Sequence, residues 1–60
     1  MLYLKVGDLI NFHSPNTSED AFGYVSKVTT DYYYIYYLKS EMTLHYVRRD
    51  AHKYICLMNS

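Results

Sequence analysis

The heptapeptide YYYIYYL at residues 32–38 decides the fold class of this chain. The segment contains only aromatic and aliphatic side chains, with no glycine, proline or charged residue. Aromatic and β-branched residues are enriched in β-strands, and a run of this length is typical of a buried strand. The segment therefore predicts a strand at the centre of a β-sheet.

Side chains alternate between the two faces of a strand, which divides the tyrosines of this segment into two sets. If Ile35 faces the core, then Tyr33 and Tyr37 face it too. The outward set consists of Tyr32, Tyr34 and Tyr36. Tyrosine is enriched at protein interfaces, so the outward set is a candidate partner-binding face. The alternative is that these rings only cover the outer surface of a small sheet.

Four further segments flank the central strand and have strand character. They are residues 6–12, 21–28, 42–47 and 54–58. The odd spacing of Val25 and Val28 indicates a β-bulge between them. Residues 48–53 are too few for a stable helix and predict one 3₁₀ turn before the last strand. Residues 13–20 hold the only proline and predict a surface loop.

The number and length of these strands predict the architecture. Five short strands in 60 residues are too little chain for a sandwich of two sheets, and they predict one domain over residues 1–60. A strongly bent antiparallel sheet that rolls onto itself buries a core and limits open edges. We therefore predict an all-β fold, a five-stranded antiparallel barrel. Val6, Ile10 and Phe12 share one face of its first strand and are expected to face the core.

The charge and cysteine content limit the classes of partner. Six Lys and Arg residues balance six Asp and Glu residues, whereas non-specific binders of polyanions carry a basic excess. The longest uncharged apolar run has seven residues, against roughly 20 in a membrane-spanning helix, so we expect no membrane partner. One cysteine allows no internal disulfide, and the first residues lack the apolar stretch of a signal peptide. These features predict a cytoplasmic protein.

No residue pattern indicates catalysis or a cofactor. Zinc sites show paired ligands at close spacing, whereas this chain has one cysteine and three scattered histidines. Cys56 lies in an apolar segment, where a thiol usually acts as a small buried hydrophobe. Glu19 and Asp20 are adjacent in sequence and cannot face each other as an acid–base pair. We therefore predict a non-enzyme without metal or cofactor.

Arg48 and Arg49 form a short basic turn with Lys53. This turn is either a solvated segment partly neutralised by Asp50 or a contact for an anionic group beside the tyrosines. Arginine presents a planar fork of donors that suits carboxylates and phosphates. We include Arg48 and Arg49 in the candidate partner-binding site as its polar rim.

Four motifs give the chain a family resemblance: VGDLINF at 6–12, FGYVSKV at 22–28, DYYYIYYL at 31–38 and YICLM at 54–58. Together they resemble the Src-homology-3-like small barrels of the Tudor and KOW type, over residues 5–57. The resemblance implies a Val-Gly-Asp step that opens the first strand and a 3₁₀ turn before the last. The chain also resembles short orphan proteins of tailed bacteriophages, including cyanophages. It has no tryptophan in the third strand and no run of lysines, so a proline-peptide groove or a ribosomal RNA-binding role is not implied.

The tyrosine-rich strand and the phage resemblance together predict a non-catalytic protein-interaction module. It would be a phage-encoded accessory or virion-associated protein whose partner is a host or virion protein, located in the host cytoplasm or in the virion. The alternative is a small nucleic-acid-binding barrel in which the tyrosines stack on bases and Arg48 and Arg49 contact phosphates. The zero net charge favours the protein partner. Homo-oligomerisation through the same face is compatible with either function.

Overall fold

The fold is all-β, as predicted, in a computed structural model that describes residues 2–12 and 21–58. Its elements are β1 (Leu9–Phe12), β2 (Ala21–Val28), β3 (Tyr32–Tyr37), β4 (Met42–Val47), the 3₁₀ turn (Ala51–Lys53) and β5 (Ile55–Leu57). The predicted bounds of β2 and β4 are confirmed, and β3 ends one residue earlier than predicted. The predicted 3₁₀ turn is also present. The loop predicted at 13–20 lies outside the described residues.

The five strands form one antiparallel sheet in the order β4-β3-β2-β1-β5. The predicted closure of this sheet into a barrel is not observed, because no ladder joins β4 to β5 within residues 2–12 and 21–58. Strand β5 has only three residues, and all three pair with β1. The two edges of the sheet still approach each other through side chains: the rings of Tyr46 and Tyr54 stack with their centroids 5.8 Å apart.

The core lies on the inner face of the bent sheet. Its buried side chains come from both ends of the chain and from every strand except β4: Leu4, Ile10, Val25, Tyr33, Ile35, Tyr37, Ala51 and Ile55. The predicted alternation along β3 is confirmed, because Tyr33, Ile35 and Tyr37 are all buried. All residues of this segment are apolar or aromatic, so hydrophobicity alone does not show which face of β3 is buried. The alternation about Ile35 identifies that face.

The Tyr33 hydroxyl connects the core to the beginning of the chain. It donates a hydrogen bond to the carbonyl oxygen of Leu2 and accepts one from the backbone N–H of Leu4, both at 3.0 Å. A buried tyrosine hydroxyl needs such partners, because an unpaired polar group in a core is costly. These two bonds hold residues 2–4 against β3.

The predicted position of Val6 in the core is wrong, because the chain turns at Gly7 before β1 begins. Gly7 has a φ of 95°, in the left-handed region that favours glycine. The carboxylate of Asp8 accepts a hydrogen bond from the N–H of Lys5 at 2.9 Å and closes the turn. Val6 is consequently 63% exposed, and the strand starts only at Leu9.

The predicted bulge in β2 lies between Val25 and Lys27, where the register against β3 shifts. Val25 pairs with Ile35, and Lys27 pairs with Tyr34, so Ser26 is the extra residue. Its hydroxyl donates a hydrogen bond to the Tyr34 carbonyl oxygen at 3.2 Å. The bulge places Lys27 on the outer face of the sheet and lets Val28 pack against the core.

Candidate functional site

The outer surface of the central strands carries a group of aromatic rings in two clusters, one of Tyr24 and Tyr36 and one of Tyr32, Tyr34 and His45. We call it the aromatic face, and it consists of Tyr24, Tyr32, Tyr34, Tyr36 and His45. Two rows cross the sheet because of the strand register: Tyr24 and Tyr36 are paired residues, and so are Tyr34 and His45. The three outward tyrosines predicted from the sequence therefore all lie on the same face of the sheet.

Within each of the two clusters, the rings of the aromatic face contact each other closely. The Tyr24 and Tyr36 centroids are 5.5 Å apart, and His45 lies 5.2 Å from Tyr32 and 5.6 Å from Tyr34. These distances fall in the range in which aromatic pairs attract each other. Contacts of this kind restrict the side-chain rotation of the rings within each cluster.

Three members of the aromatic face are exposed: Tyr24, Tyr32 and His45. Tyr24 is 37% exposed and Tyr32 is 36% exposed, whereas Tyr34 and Tyr36 are half-buried by their neighbours. The Lys27 ammonium lies 5.7 Å from the centroid of the Tyr34 ring, within the range of a cation–π contact. The face is thus an aromatic surface with one adjacent positive charge.

Tyr24, Lys27 and His45 were missed in the sequence prediction of the site. They lie on β2 and β4, and their places beside β3 depend on the cross-strand register, including the bulge at Ser26. A periodic pattern within one strand carries no information on that register. The sequence gives one indication for His45: side chains alternate along residues 42–47, so His45 and Leu44 lie on opposite faces of the strand.

Arg48 lies apart from the aromatic face, on the inner side of the sheet. Its Nη1 atom donates a hydrogen bond to the Thr29 carbonyl oxygen at 3.0 Å, and its guanidinium carbon is 5.1 Å from the centroid of the buried Tyr33 ring. The Nε atom is buried and has no hydrogen-bond partner in the part of the chain that the structure describes. Arg48 thereby ties the end of β4 to the turn between β2 and β3.

Arg49 is exposed and lies near the Tyr32 end of the aromatic face. It lines an open pocket of about 400 Å³ together with Thr30, Asp31, Val47 and Arg48. Val47 is the residue paired with Tyr32, so this pocket adjoins the aromatic face. Of the two arginines predicted for the polar rim, only Arg49 has its side chain in the exposed position that a rim requires.

A second, smaller groove lies on the inner side of β4. It has a volume of about 160 Å³ and is lined by Phe12, Ala21, Tyr37, Ser40, Leu44 and Tyr46. The hydroxyl oxygens of Tyr37 and Tyr46 are 2.7 Å apart across its floor. The Phe12 ring meets Tyr37 edge-on at 6.3 Å. The groove is mainly apolar, with this hydroxyl pair as its polar element.

The hydroxyl pair of Tyr37 and Tyr46 makes the folded protein less stable at alkaline pH. Burial raises the pKa of Tyr37 well above its ordinary value of 10.0, and its hydrogen bond to Tyr46 raises it further. Burial also raises the pKa of Tyr46. The unfolded tyrosines lose their protons near pH 10 while the folded ones keep them, so stability is full below about pH 10 and falls above it.

We expect the thermal midpoint to fall between about pH 9 and 11, and Tyr37→Phe to make that fall shallower. An equally steep fall in the variant would contradict the assignment.

Residues 2–12 and 21–58 contain neither a cluster of metal ligands nor a membrane-spanning helix. No group of three His, Cys, Asp or Glu side chains in this part of the chain is placed to hold a metal ion. Among the same residues, no helix has the length and apolar character required to cross a membrane. Cys56 is half-buried and pairs with Asn11 across β1 and β5, so it is less buried than the sequence indicated.

The described residues define the class of the protein as a small all-β domain with one antiparallel sheet and an aromatic outer face. No protein-family model, curated protein or solved structure matches the chain. The resemblance to Src-homology-3-like barrels and to phage orphan proteins therefore stays a prediction.

Proposed function

We propose that this protein is a non-catalytic interaction module that binds a partner protein through its aromatic face. The observation that carries this proposal is the concentration of partly and fully exposed rings and aliphatic side chains on the outer face of the sheet. Leu9 extends the patch beyond Tyr24, its paired residue, and Val47 extends it beyond Tyr32. All four of these side chains are exposed. Aromatic side chains that are already fixed by their neighbours are typical anchors of protein interfaces.

The same proposal includes a Src-homology-3-like small barrel of the Tudor and KOW type. Three features support it: the strand order, the 3₁₀ turn before β5, and the Tyr46–Tyr54 stack that bridges the two edges of the open sheet. A phage-encoded accessory or virion-associated protein, located in the host cytoplasm or in the virion, fits this architecture and the sequence resemblance.

A nucleic-acid ligand is the second candidate, and the placement of Lys27 over Tyr34 favours it. Stacking of bases on tyrosine rings would supply about 1–3 kcal/mol for each base. The placement of Arg48 counts against this candidate, because its guanidinium is already used by Thr29 and Tyr33. The protein partner has the stronger support, because the chain has zero net charge and one of the two predicted arginines, Arg48, already contacts residues of its own chain.

Affinity capture from a bacterial host lysate, with and without nuclease, followed by binding measurements tests the proposal. We expect Tyr36→Ala and Tyr34→Ala to weaken binding of the captured protein by about tenfold or more. Tyr3→Ala is the matched control, because Tyr3 is an exposed tyrosine outside the aromatic face, and it should leave binding unchanged. Circular dichroism of each variant checks that the fold persists.

A salt titration separates the two candidate functions. Binding to a protein through aromatic anchors should weaken only modestly between about 0.05 and 0.5 M salt. Binding to mixed single-stranded RNA or DNA through phosphates falls steeply as a power of salt concentration. Tight and steeply salt-dependent binding to nucleic acid would replace the first proposal by the second. If the tyrosine variants bound both the captured protein and nucleic acid as tightly as the unchanged chain does, both proposals would be refuted.

A further inference from the structure

Strand β4 forms one edge of the sheet, and the register shows which of its backbone groups face outward. The Arg48 N–H donates a hydrogen bond to the Asp31 carbonyl oxygen at 2.8 Å, so this opposed pair is a hydrogen-bonded pair. Hydrogen-bonded and non-bonded pairs alternate along an antiparallel ladder. The alternation assigns the bonded positions of β4 to Met42, Leu44 and Tyr46. The N–H and C=O groups of Thr43 and His45 therefore point away from β3.

This edge lacks the devices that usually protect an exposed strand. Natural edge strands are short or bulged, or they carry charged residues or proline. Strand β4 has six residues, pairs with β3 without a register shift, and has the sequence MTLHYV. Strand β5, at the other edge, has only three residues. Among the described strands, β4 is the one that leaves a long, uncharged edge unpaired.

The inner side chains of β4 are also more exposed than their position predicts. Leu44 pairs with the buried Ile35, and Met42 pairs with the buried Tyr37. Nevertheless, Leu44 is 43% exposed and Met42 is 55% exposed. Nothing among residues 2–12 and 21–58 covers them, because β4 has no strand on its outer side.

We propose that β4 pairs antiparallel with β4 of a second copy of this chain, about a two-fold axis that passes through Leu44. In this register Thr43 of each copy lies opposite His45 of the other, and the outward N–H and C=O groups of both residues are paired. The two-fold axis doubles these bonds, as in any isologous interface. The paired sheets then form one continuous sheet across the two copies.

A second copy fits this edge because the register is self-complementary. The exposed Leu44 meets Leu44 of the other copy, and the exposed Met42 lies opposite Tyr46, which is half-buried against Tyr54 and Tyr37 of its own chain. The strand carries no Lys, Arg, Asp or Glu, so no like charges face each other across the axis. The chain has zero net charge, and two copies therefore approach without long-range repulsion.

The expected dimer is weak. A pair of six-residue strands buries less than the roughly 1,200–2,000 Å² of a standard stable interface, which places this contact among transient ones. In sedimentation, we expect the apparent mass to rise from 7.2 kDa towards twice that value between about 10 μM and 1 mM. Amide hydrogen exchange should slow with concentration at Thr43 and His45, and not at Leu44, whose N–H already bonds to β3. A monomer throughout this range would overturn the proposal.

A proline substitution tests the backbone contact. Thr43→Pro removes an outward N–H without breaking a bond to β3, a position at which edge strands tolerate proline. The symmetry removes two intermolecular bonds, so the dissociation constant should rise by about tenfold or more. Thr43→Ala keeps the N–H and is the matched control, which should dimerise as the unchanged chain does. Equal dissociation constants for the proline and alanine variants would refute the strand pairing.

A charge exchange tests the position of the two-fold axis. Leu44→Lys and Leu44→Glu each place like charges against each other at the axis, so each variant alone should be monomeric. An equimolar mixture should restore a heterodimer, because the opposite charges then meet. The restoration also shows that both variants are folded. Dimers of either variant alone, or a mixture that stays monomeric while circular dichroism shows folded protein, would place the axis elsewhere and overturn the proposal.

Discussion

Gly23→Ala should abolish the cooperative unfolding transition or lower the free energy of unfolding by about 3 kcal/mol or more. Gly23 is a buried residue of β2, and a Cβ atom added there would overlap the carbonyl oxygen of Tyr36 and lie 3.1 Å from Cγ2 of Ile35. Overpacking a core costs about 1–3 kcal/mol, and more where the obstacle cannot move. The obstacle here is the backbone of β3, which is paired with a strand on each side.

Thermal denaturation followed by far-UV circular dichroism measures this effect. Gly7→Ala is the matched control, because no atom lies within 4 Å of a Cβ at Gly7. Its only cost is the left-handed φ of 95°, which is about 1–2 kcal/mol for a residue with a side chain. If Gly23→Ala melted at the same temperature as the unchanged chain, β2 and β3 could not be as close as described.

Ile35→Ala should be the second most damaging substitution, with a loss of about 2–5 kcal/mol. Ile35 is fully buried and pairs with Val25 on one side and Leu44 on the other. In a domain of this size, 1 kcal/mol shifts the melting temperature by about 4–8 °C. The expected drop is therefore about 8–40 °C. A 60-residue domain has a total stability of only about 3–9 kcal/mol, so the variant is expected to be close to unfolded at room temperature.

Tyr32→Ser is the control for Ile35→Ala, since Tyr32 lies on the same strand with its ring on the outer face. Its melting temperature should drop much less than that of Ile35→Ala. Similar midpoints for the two variants would mean that the inner and outer faces of β3 are assigned the wrong way round.

The local features of this fold could be predicted from the sequence, whereas the closure of the sheet could not. The strand at β3, the inward set of its side chains, the bulge after Val25 and the 3₁₀ turn all follow from patterns within a few residues. The sequence pattern starts β1 at Val6, whereas the strand begins at Leu9, because Gly7 adopts a positive φ in a turn that periodicity does not reveal. Closure of the barrel depends on how strongly the whole sheet bends, because the bend sets the distance between its edge strands β4 and β5. No pattern within a few residues specifies that bend.

The same distinction applies to the candidate site. The outward tyrosines on β3 are adjacent in one period-2 pattern, so the sequence was sufficient to group them. Their neighbours Tyr24 and His45 come from other strands and required the register. Arg48 was grouped with Arg49 because the two are adjacent in sequence. Both lie in the turn that follows β4, where adjacent side chains need not share a direction, and here the Arg48 side chain lies against Tyr33.

The hydroxyl of Tyr33 has a consequence for the order in which the chain can fold. Its two hydrogen bonds join β3 to Leu2 and Leu4, residues 31 and 29 positions earlier in the chain. The ladder between β1 and β5 spans a still longer separation, from Ile10 to Leu57. Contacts of high sequence separation are slow to form, because the loop between them must close before any contact forms. The β2–β3–β4 meander has only short turns and is the part that can form first. Both ends of the chain would then dock onto it late, on the millisecond-to-second timescale typical of small all-β domains.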